Sequence, residues 1–125
     1  DGELPYGNFR DPKLLRLLLT AGLPPETIDV AGNSLLIQAA ANPASLKLLL
    51  KQGVNVNRVC NSYVAATALI RAASIGNLKS VELLLEHGAD PTIKDRSGRP
   101  IEKVVDRRSR QCEAILDLLR RSSKK

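Results

Sequence analysis

One phrase recurs three times in this chain: three consecutive leucines, two further residues and a glycine. The phrase ends at Gly22, Gly53 and Gly88, so the intervals are 31 and 35 residues and average 33. Recurrence at this period is typical of stacked repeats, in which one helical unit cannot bury its apolar face alone and packs on its neighbours. The phrase therefore predicts an extended surface built from repeated units, an architecture that rarely houses catalytic chemistry.

The third unit shows the parts of the repeat most completely. Thr67 is positioned to cap a short first helix, and Gly76 is positioned to close that helix in a left-handed conformation. A second, antiparallel helix follows, and its buried stripe is formed by apolar residues at helical spacing: Leu78, Val81, Leu84 and Leu85. Gly88 ends the second helix, and a tight turn with Gly98 at the position that favours positive φ comes next.

The third unit and the turn after it resemble the ankyrin repeat, in the segments Thr67–Ala73, Asn77–Asp90 and Asp95–Gly98. The resemblance covers residues from about Asp11 to Arg121. It implies an all-α ankyrin-repeat solenoid, in which antiparallel helix pairs are joined by β-turn fingers and bind protein partners. It divides the chain into an N-terminal segment with a partial repeat (residues 1–28) and two full repeats (29–61 and 62–94). A C-terminal capping repeat (95–121) and a tail (122–125) follow.

The unequal intervals predict two irregularities. In the second unit, Pro43 is suited to start the second helix, and two residues of the usual inter-helix turn, including its glycine, are missing. Two extra residues between Asn57 and Thr67 restore the period. The pattern therefore predicts one shortened turn and one lengthened finger.

The two ends of the stack differ in sequence. Asp11 and Pro12 open a second helix in the first unit, but residues 1–10 hold no convincing first helix. Leu4, Tyr6 and Phe9 either fold over the exposed end, or the chain cuts into a longer array; we favour truncation or degeneration. The last unit combines a charged outer face with apolar residues that suit a terminal cap, namely Ile115, Leu116, Leu118 and Leu119.

Charge and cysteine content limit the partner and the compartment. The net charge of +6 lies in residues 91–125, which hold eleven basic and five acidic residues, whereas residues 1–90 hold eight of each. A basic end attracts acidic proteins, nucleic acid or anionic lipid. Two distant cysteines without metal-ligand spacing favour a reducing compartment, the cytosol or the nucleus. The absence of any methionine suggests a piece excised from a longer protein.

No arrangement of residues indicates an enzyme, and we expect no cofactor and no metal. His87 is the only histidine and has no cysteine or carboxylate at metal-ligand spacing. Cys112 has no neighbouring base, and the glycines of residues 2–7 lack a phosphate-binding lysine. Glu82 and Glu86 lie four residues apart on a predicted helix, which favours a solvated face over acid–base chemistry.

Two stretches suggest a binding surface, and each has a second interpretation. The lengthened finger is nearly uncharged and carries Tyr63, which either anchors a partner or fills space left by the shortened turn. The arginines near the C-terminal end either bind an acidic partner or belong to a solvated cap. Nucleic acid is a further alternative, although this region lacks aromatic residues for base stacking.

We interpret the chain as a non-catalytic protein-binding module of a larger intracellular protein, with its partner on the concave surface of fingers and first helices. The alternatives are that the basic end binds RNA or another polyanion, or that the domain regulates an enzyme elsewhere in the parent chain. We expect a partner with an acidic or extended segment. The predicted contact residues are Val30, Ala31, Asn33, Asn42, Tyr63, Val64, Ala66, Ser74, Ile75, Arg96, Ser97, Arg99, Arg107 and Arg108.

Overall fold

A computed structural model describes residues 11–28, 32–60 and 66–123, and its regular structure within these ranges is helical apart from one isolated bridge between Ile28 and Ser34. The seven helices of these ranges are α1 (Pro12–Thr20), α2 (Leu35–Ala39), α3 (Pro43–Lys51), α4 (Ala68–Ile75), α5 (Leu78–Glu86), α6 (Ile101–Val104) and α7 (Cys112–Ser123). The predicted all-α fold is confirmed. Leu4, Tyr6 and Phe9, for which a fold over the exposed end is one of the two interpretations, lie outside the described residues.

The helices form two layers. Helices α1, α3, α5 and α7 pack in succession in one layer, and α2, α4 and α6 do so in the other. The layers are connected within the second and third units, because α2 packs on α3 and α4 packs on α5. Helices of four to nine residues are marginal in isolation, so this packing supplies most of their stability.

The core follows from the repeated leucine phrase. One equivalent position in each helix of the first layer is completely buried, namely Leu15, Leu46, Val81 and Ile115. Burying an aliphatic side chain of this size contributes about 1.5–3 kcal/mol relative to leaving it exposed. A row of such side chains therefore joins α1, α3, α5 and α7 into one continuous core.

Side chains before the helices set where each helix begins. The hydroxyl oxygen of Ser34 accepts from Ile37 N, and that of Thr67 accepts from Ile70 N, each at 3.2 Å. Asn42 and Asn77 cap α3 and α5 in the same way, through bonds from backbone amides of the first turn. The capping role predicted for Thr67 and the helix start predicted at Pro43 are both observed.

The shortened part of the second unit includes the last turn of α2 as well as the loop. Ala40 and Ala73 occupy equivalent positions, and both are fully buried. The capping residues Asn42 and Asn77 are likewise equivalent, since each caps the second helix of its unit. One residue separates the first alanine from its asparagine, whereas three separate the second pair. Helix α2 consequently has five residues and α4 has eight.

The turn between α4 and α5 carries the glycine that the shorter turn lacks. Gly76 has φ 84° and ends α4 in the left-handed region, as predicted. A Cβ atom built on Gly76 would lie 2.6 Å from Cβ of Ser109, so the position is restricted by packing as well as by φ. The Ser109 hydroxyl donates to Gly76 O at 3.0 Å, which connects the third unit to the fourth.

Polar side chains also connect the loops that follow the second helices. The amide of Asn57 donates to Gly88 O at 3.1 Å and accepts from Asp90 N at 2.7 Å. Arg58 donates to Glu26 O at 2.7 Å one unit earlier. Each such bond spans about one repeat, so the loops are stacked in register with the helices. No helix within the described ranges has the length and apolarity needed to cross a bilayer.

Candidate binding surface

The last finger, residues 95–99, is held by one carboxylate. Asp95 accepts from Ser97 N at 2.9 Å, from Arg99 N at 2.8 Å and from Arg99 Nε at 2.9 Å. The bond from the Arg99 backbone, aided by the guanidinium and by the bond from Ser97 N, lowers the pKa of Asp95 from its ordinary value. Arg96 and Ser97 lie exposed on the turn, with Gly98 at φ 80° as predicted.

The long finger is closed by an equivalent backbone bond. Cys60 N donates to Ala66 O at 2.7 Å, and Asp95 N donates to Arg99 O at 3.0 Å in the last finger. Five residues lie between the bonded ends of the long finger, whereas three lie between those of the last finger. The two extra residues therefore belong to residues 61–65. Tyr63 and Val64 lie in this segment, outside the described residues.

Two residues predicted to contact a partner are buried beside the fingers. Ala66 is 3% exposed and Asn33 is 8% exposed, so their side chains are not available to a ligand on the finger surface. Both immediately precede a helix-capping residue, Thr67 or Ser34, and that proximity to the core explains their burial. Val30 and Ala31 of the same finger lie outside the described residues.

The ends of the first helices in the third and fourth units are brought together. Asp106 N donates to Ala73 O at 3.2 Å, and Ser109 donates to Gly76 O. The segment between Asp106 and Ser109 therefore packs on the turn after α4. This contact places the exposed residues Arg107 and Arg108 next to the half-buried pair Ser74 and Ile75.

Local hydrogen bonds orient these two arginines. The Arg107 guanidinium donates to Glu102 O at 2.9 Å, and the Arg108 amide donates to the Asp106 carboxylate at 2.9 Å. Arg107 is thereby directed back over α6, whereas the Arg108 side chain makes no hydrogen bond to another residue that the structure describes. Their exposed charges suit an anionic group on a ligand.

Asn42 is a helix-capping residue, a role that its position in the sequence did not indicate. Its side chain accepts from Ala44 N at 3.0 Å and caps α3. Substituting Asn42 would therefore weaken the fold as well as any contact with a partner.

The residues weighed for catalysis lie apart. His87 is exposed, and its Nδ1 lies 2.8 Å from Leu83 O, so the ring is engaged with its own helix. Cys60 and Cys112 are free and buried. No group of three metal-ligating side chains occurs among the residues that the structure describes. Asp90 has a lowered pKa because the Thr92 hydroxyl and amide donate to its carboxylate, which is a turn contact.

Sequence reasoning missed an apolar groove at the opposite end of the stack. The groove has a volume of about 520 Å³ and is lined by Pro12, Lys13, Arg16, Leu17 and Ala44. Leu17 is 68% exposed beside it. The leucine phrase gives no signal for this groove, because Leu83 occupies the position equivalent to Leu17 and is only 5% exposed.

Comparison with known proteins supports the repeat assignment. The family model described as ankyrin repeats, in three copies, matches residues 7–95. The mouse B-cell lymphoma 3 protein homolog is 36% identical over 104 residues, which cover 78% of this chain and 23% of that protein. Protein PhlB of Serratia liquefaciens is 35% identical over 108 residues, covering 82% of this chain and 47% of PhlB.

A plant relative shows the same partial coverage. The probable E3 ubiquitin-protein ligase XBOS34 of Oryza sativa subsp. japonica is 37% identical over 94 residues, which cover 73% of this chain and 18% of that protein. The chain thus spans less than half the length of each of these three relatives. Ankyrin repeats are in general non-catalytic protein-interaction modules. Because the family model covers well over half of the chain, this protein belongs to the ankyrin-repeat family.

Proposed function

We propose that this domain is a non-catalytic module that binds a partner protein through its fingers and the ends of its first helices. The observation that carries the proposal is the long finger, whose two extra residues lie between bonded ends that match those of the last finger. Because the bonded ends of the two fingers match, the extra residues alter the exposed surface and leave the packing of the helices unchanged. Tyr63 within this tip has the size and the polar hydroxyl typical of an interface anchor.

The exposed arginines support a partner with an acidic segment. Arg96 lies on the last finger, and Arg107 and Arg108 lie beside Ser74 and Ile75 at the end of α4. Guanidinium groups at an interface bind carboxylates through directional hydrogen bonds. We leave Arg99 out of this set because its side chain holds the turn through Asp95.

Affinity capture from cell lysate with the immobilised domain tests this proposal. The test variants are Tyr63→Ala and the triple substitution of Arg96, Arg107 and Arg108 by Glu. The matched control replaces three exposed cations of the second helices, Lys47, Lys51 and Lys79, by Glu. The control changes the net charge by the same amount as the arginine triple variant and leaves the proposed surface intact.

We expect both test variants to retain about a tenth or less of the partner retained by the wild type, because loss of a hot-spot contact costs at least about 1.4 kcal/mol. The lysine control should retain the partner. Equal loss in the control and the arginine variant would show that net charge alone governs capture. Full retention by both test variants would contradict the proposed surface.

The charge distribution also supports a second candidate, binding of RNA or another polyanion. Labelled RNA would test this candidate. An association constant whose logarithm falls steeply with the logarithm of salt concentration, without competition from a protein ligand, would favour it. A third candidate is regulation of an enzyme in a longer parent chain. It is motivated by two plant relatives, named "probable" and "putative" E3 ubiquitin-protein ligase, of which the chain covers about a fifth. Removal of residues 29–121 from the parent protein would then change its turnover.

A further inference from the structure

Helix α1 exposes two leucines that lie one turn apart. Leu17 is 68% exposed and Leu14 is 38% exposed, although neighbouring Leu15 is completely buried. Residues three apart on a helix are neighbours on its surface, so the two leucines form one apolar strip. Leu17 also borders the groove of about 520 Å³ between α1 and α3, whose other lining residues are Pro12, Lys13, Arg16 and Ala44. An apolar strip beside a groove is suited to contact another apolar surface.

The third unit shows what covers these positions elsewhere in the stack. Leu83 of α5 is equivalent to Leu17 and is 5% exposed, and Ser80 of α5 is equivalent to Leu14 and is completely buried. Helix α5 has a neighbour on each side in its layer, α3 and α7, whereas α1 packs on α3 alone and no helix precedes it among the residues that the structure describes. Because a leucine at the position of Leu17 is buried where helices flank it on both sides, the cover that suits the strip is a helix.

The size of Leu14 distinguishes this helix from a further repeat. Ser45 of α3 and Ser80 of α5 are both completely buried at this position, where close packing leaves space for a small side chain only. A helix packed on α1 at the same distance would overlap with the leucine side chain. A helix of a separate protein is free to lie beside Leu14, over Leu17 and the groove.

Charge determines which kind of helix fits. Lys13 and Arg16 line the groove, are exposed and form no ion pair with another residue that the structure describes. Neither α1 nor α3 contains an acidic residue, and Asp11 is held at the start of α1, where its carboxylate accepts from Lys13 N at 3.0 Å. Cations that flank an apolar contact favour carboxylates on the partner. They disfavour a second copy of α1, which would bring like charges together.

We propose that the outer side of α1 binds an acidic amphipathic helix of a partner protein. Apolar side chains of that helix pack on Leu14 and Leu17, one of them enters the groove beside Ala44, and its carboxylates pair with Lys13 and Arg16. The contact area is small, so the complex is weak and reversible. This surface belongs to a second helix, whereas the proposed function concerns the fingers and the ends of the first helices. The two proposals therefore stand or fall separately.

Titration of the whole chain with a synthetic peptide tests this interface. The probe is a helical peptide with leucines at i, i+3, i+4 and i+7 spacing and glutamates on both flanks, and its matched control has lysine in place of every glutamate. Methyl NMR of the isotope-labelled chain follows both titrations. We expect the acidic peptide to saturate with a Kd below about 1 mM and to shift the methyl signals of Leu14 and Leu17. The lysine peptide should bind at least about tenfold more weakly, because it meets Lys13 and Arg16 with like charge.

Variants of the chain locate the contact. Leu17→Ser, and Lys13→Glu combined with Arg16→Glu, should each weaken binding of the acidic peptide at least about tenfold, which corresponds to about 1.4 kcal/mol. All three side chains are exposed, so neither variant removes a core contact. The charge-reversed pair should in turn bind the lysine peptide more tightly than the wild type does. Val59→Ser is the matched control for Leu17→Ser, because Val59 is 64% exposed and lies next to the long finger; it should bind the acidic peptide as the wild type does.

Several results would overturn the proposal. They are the absence of saturable binding by the acidic peptide, equal affinity for the two peptides, and unchanged affinity in both variants. Cosedimentation of the chain with phosphatidylserine vesicles, or self-association in analytical ultracentrifugation, would overturn it as well if Leu17→Ser abolished either one. Those two results would assign the strip to an anionic membrane surface or to a second copy of the chain.

Discussion

The turns of the second and third units both connect a first helix to a second helix, but they do so with different lengths and backbone conformations. Between α4 and α5 the chain uses Gly76 in the left-handed region, packed against Ser109 of the next unit. Between α2 and α3 it has lost two residues, α2 ends in a right-handed conformation at Ala40, and Asn42 starts α3 almost at once. The helix pair survives in both cases. The comparison shows that the buried alanine and the capping asparagine are required, whereas the residues between them are adjustable.

Substituting Gly76 should have the largest effect, because it removes the feature that distinguishes the longer turn. Gly76→Ala forces an L residue to φ 84° and places a Cβ atom 2.6 Å from Cβ of Ser109, so we expect a loss of about 3 kcal/mol in the free energy of unfolding. Urea denaturation measures it.

Gly98→Ala is the matched control for the Gly76 substitution. Gly98 has φ 80°, but a Cβ atom there would meet nothing within 4 Å, so about 1 kcal/mol should be lost. Equal losses at the two glycines would show that the Ser109 contact does not restrict Gly76.

The capping asparagines should behave alike despite the different turns. Asn42→Ala and Asn77→Ala each remove an acceptor for one amide of the first helical turn, so each should cost about 1 kcal/mol. Urea denaturation of both variants measures the two losses. A much larger loss at one site would mean that the shorter and longer turns depend on their caps to different extents.

The fingers extend the comparison to acidic pH. Because the folded state lowers the pKa of Asp95, this carboxylate contributes stability that is fully present above its ordinary value of 3.8 and is lost as pH falls through the lower folded value. Wild type should therefore lose more stability than Asp95→Asn between about pH 6 and about pH 2. Thermal unfolding across this range measures the difference, which should be smaller than a cap substitution since the site is exposed. Parallel pH profiles would refute the role of the charge.

The smallest effect is expected at Ser80. Its buried hydroxyl oxygen has no hydrogen-bond partner among the described residues, so Ser80→Ala should be neutral or raise the free energy of unfolding by less than about 1 kcal/mol. A clear loss of stability in urea denaturation would show that the hydroxyl makes a bond in solution. The methyl of alanine fits the same small space that separates α5 from its neighbours.

Much of the fold was predictable because its determinants are local. Thr67, Pro43, Gly76 and Gly98 act through their own backbone or the first helical turn, and the structure shows each in its expected conformation. The leucine phrase likewise predicts the buried row. Such features need no knowledge of distant contacts.

The surface was less predictable because exposure depends on neighbours from other units. Asn33 and Ala66 occupy finger positions by sequence, yet both are buried. Leu17 occupies the position equivalent to the buried Leu83, yet it is exposed because the described residues place no helix over it. Only the pairing of Cys60 with Ala66 located the two extra residues in the finger tip.

The most direct test of the central claim shortens that tip. Replacing the five residues 61–65 by Arg-Ser-Gly, the three-residue tip of the last finger, keeps the bonded ends at Cys60 and Ala66 and removes Tyr63. We predict that the variant keeps the wild-type thermal midpoint within about 4 °C and loses the captured partner. Undiminished capture by the folded, shortened variant would contradict the claim that the long finger carries the binding site.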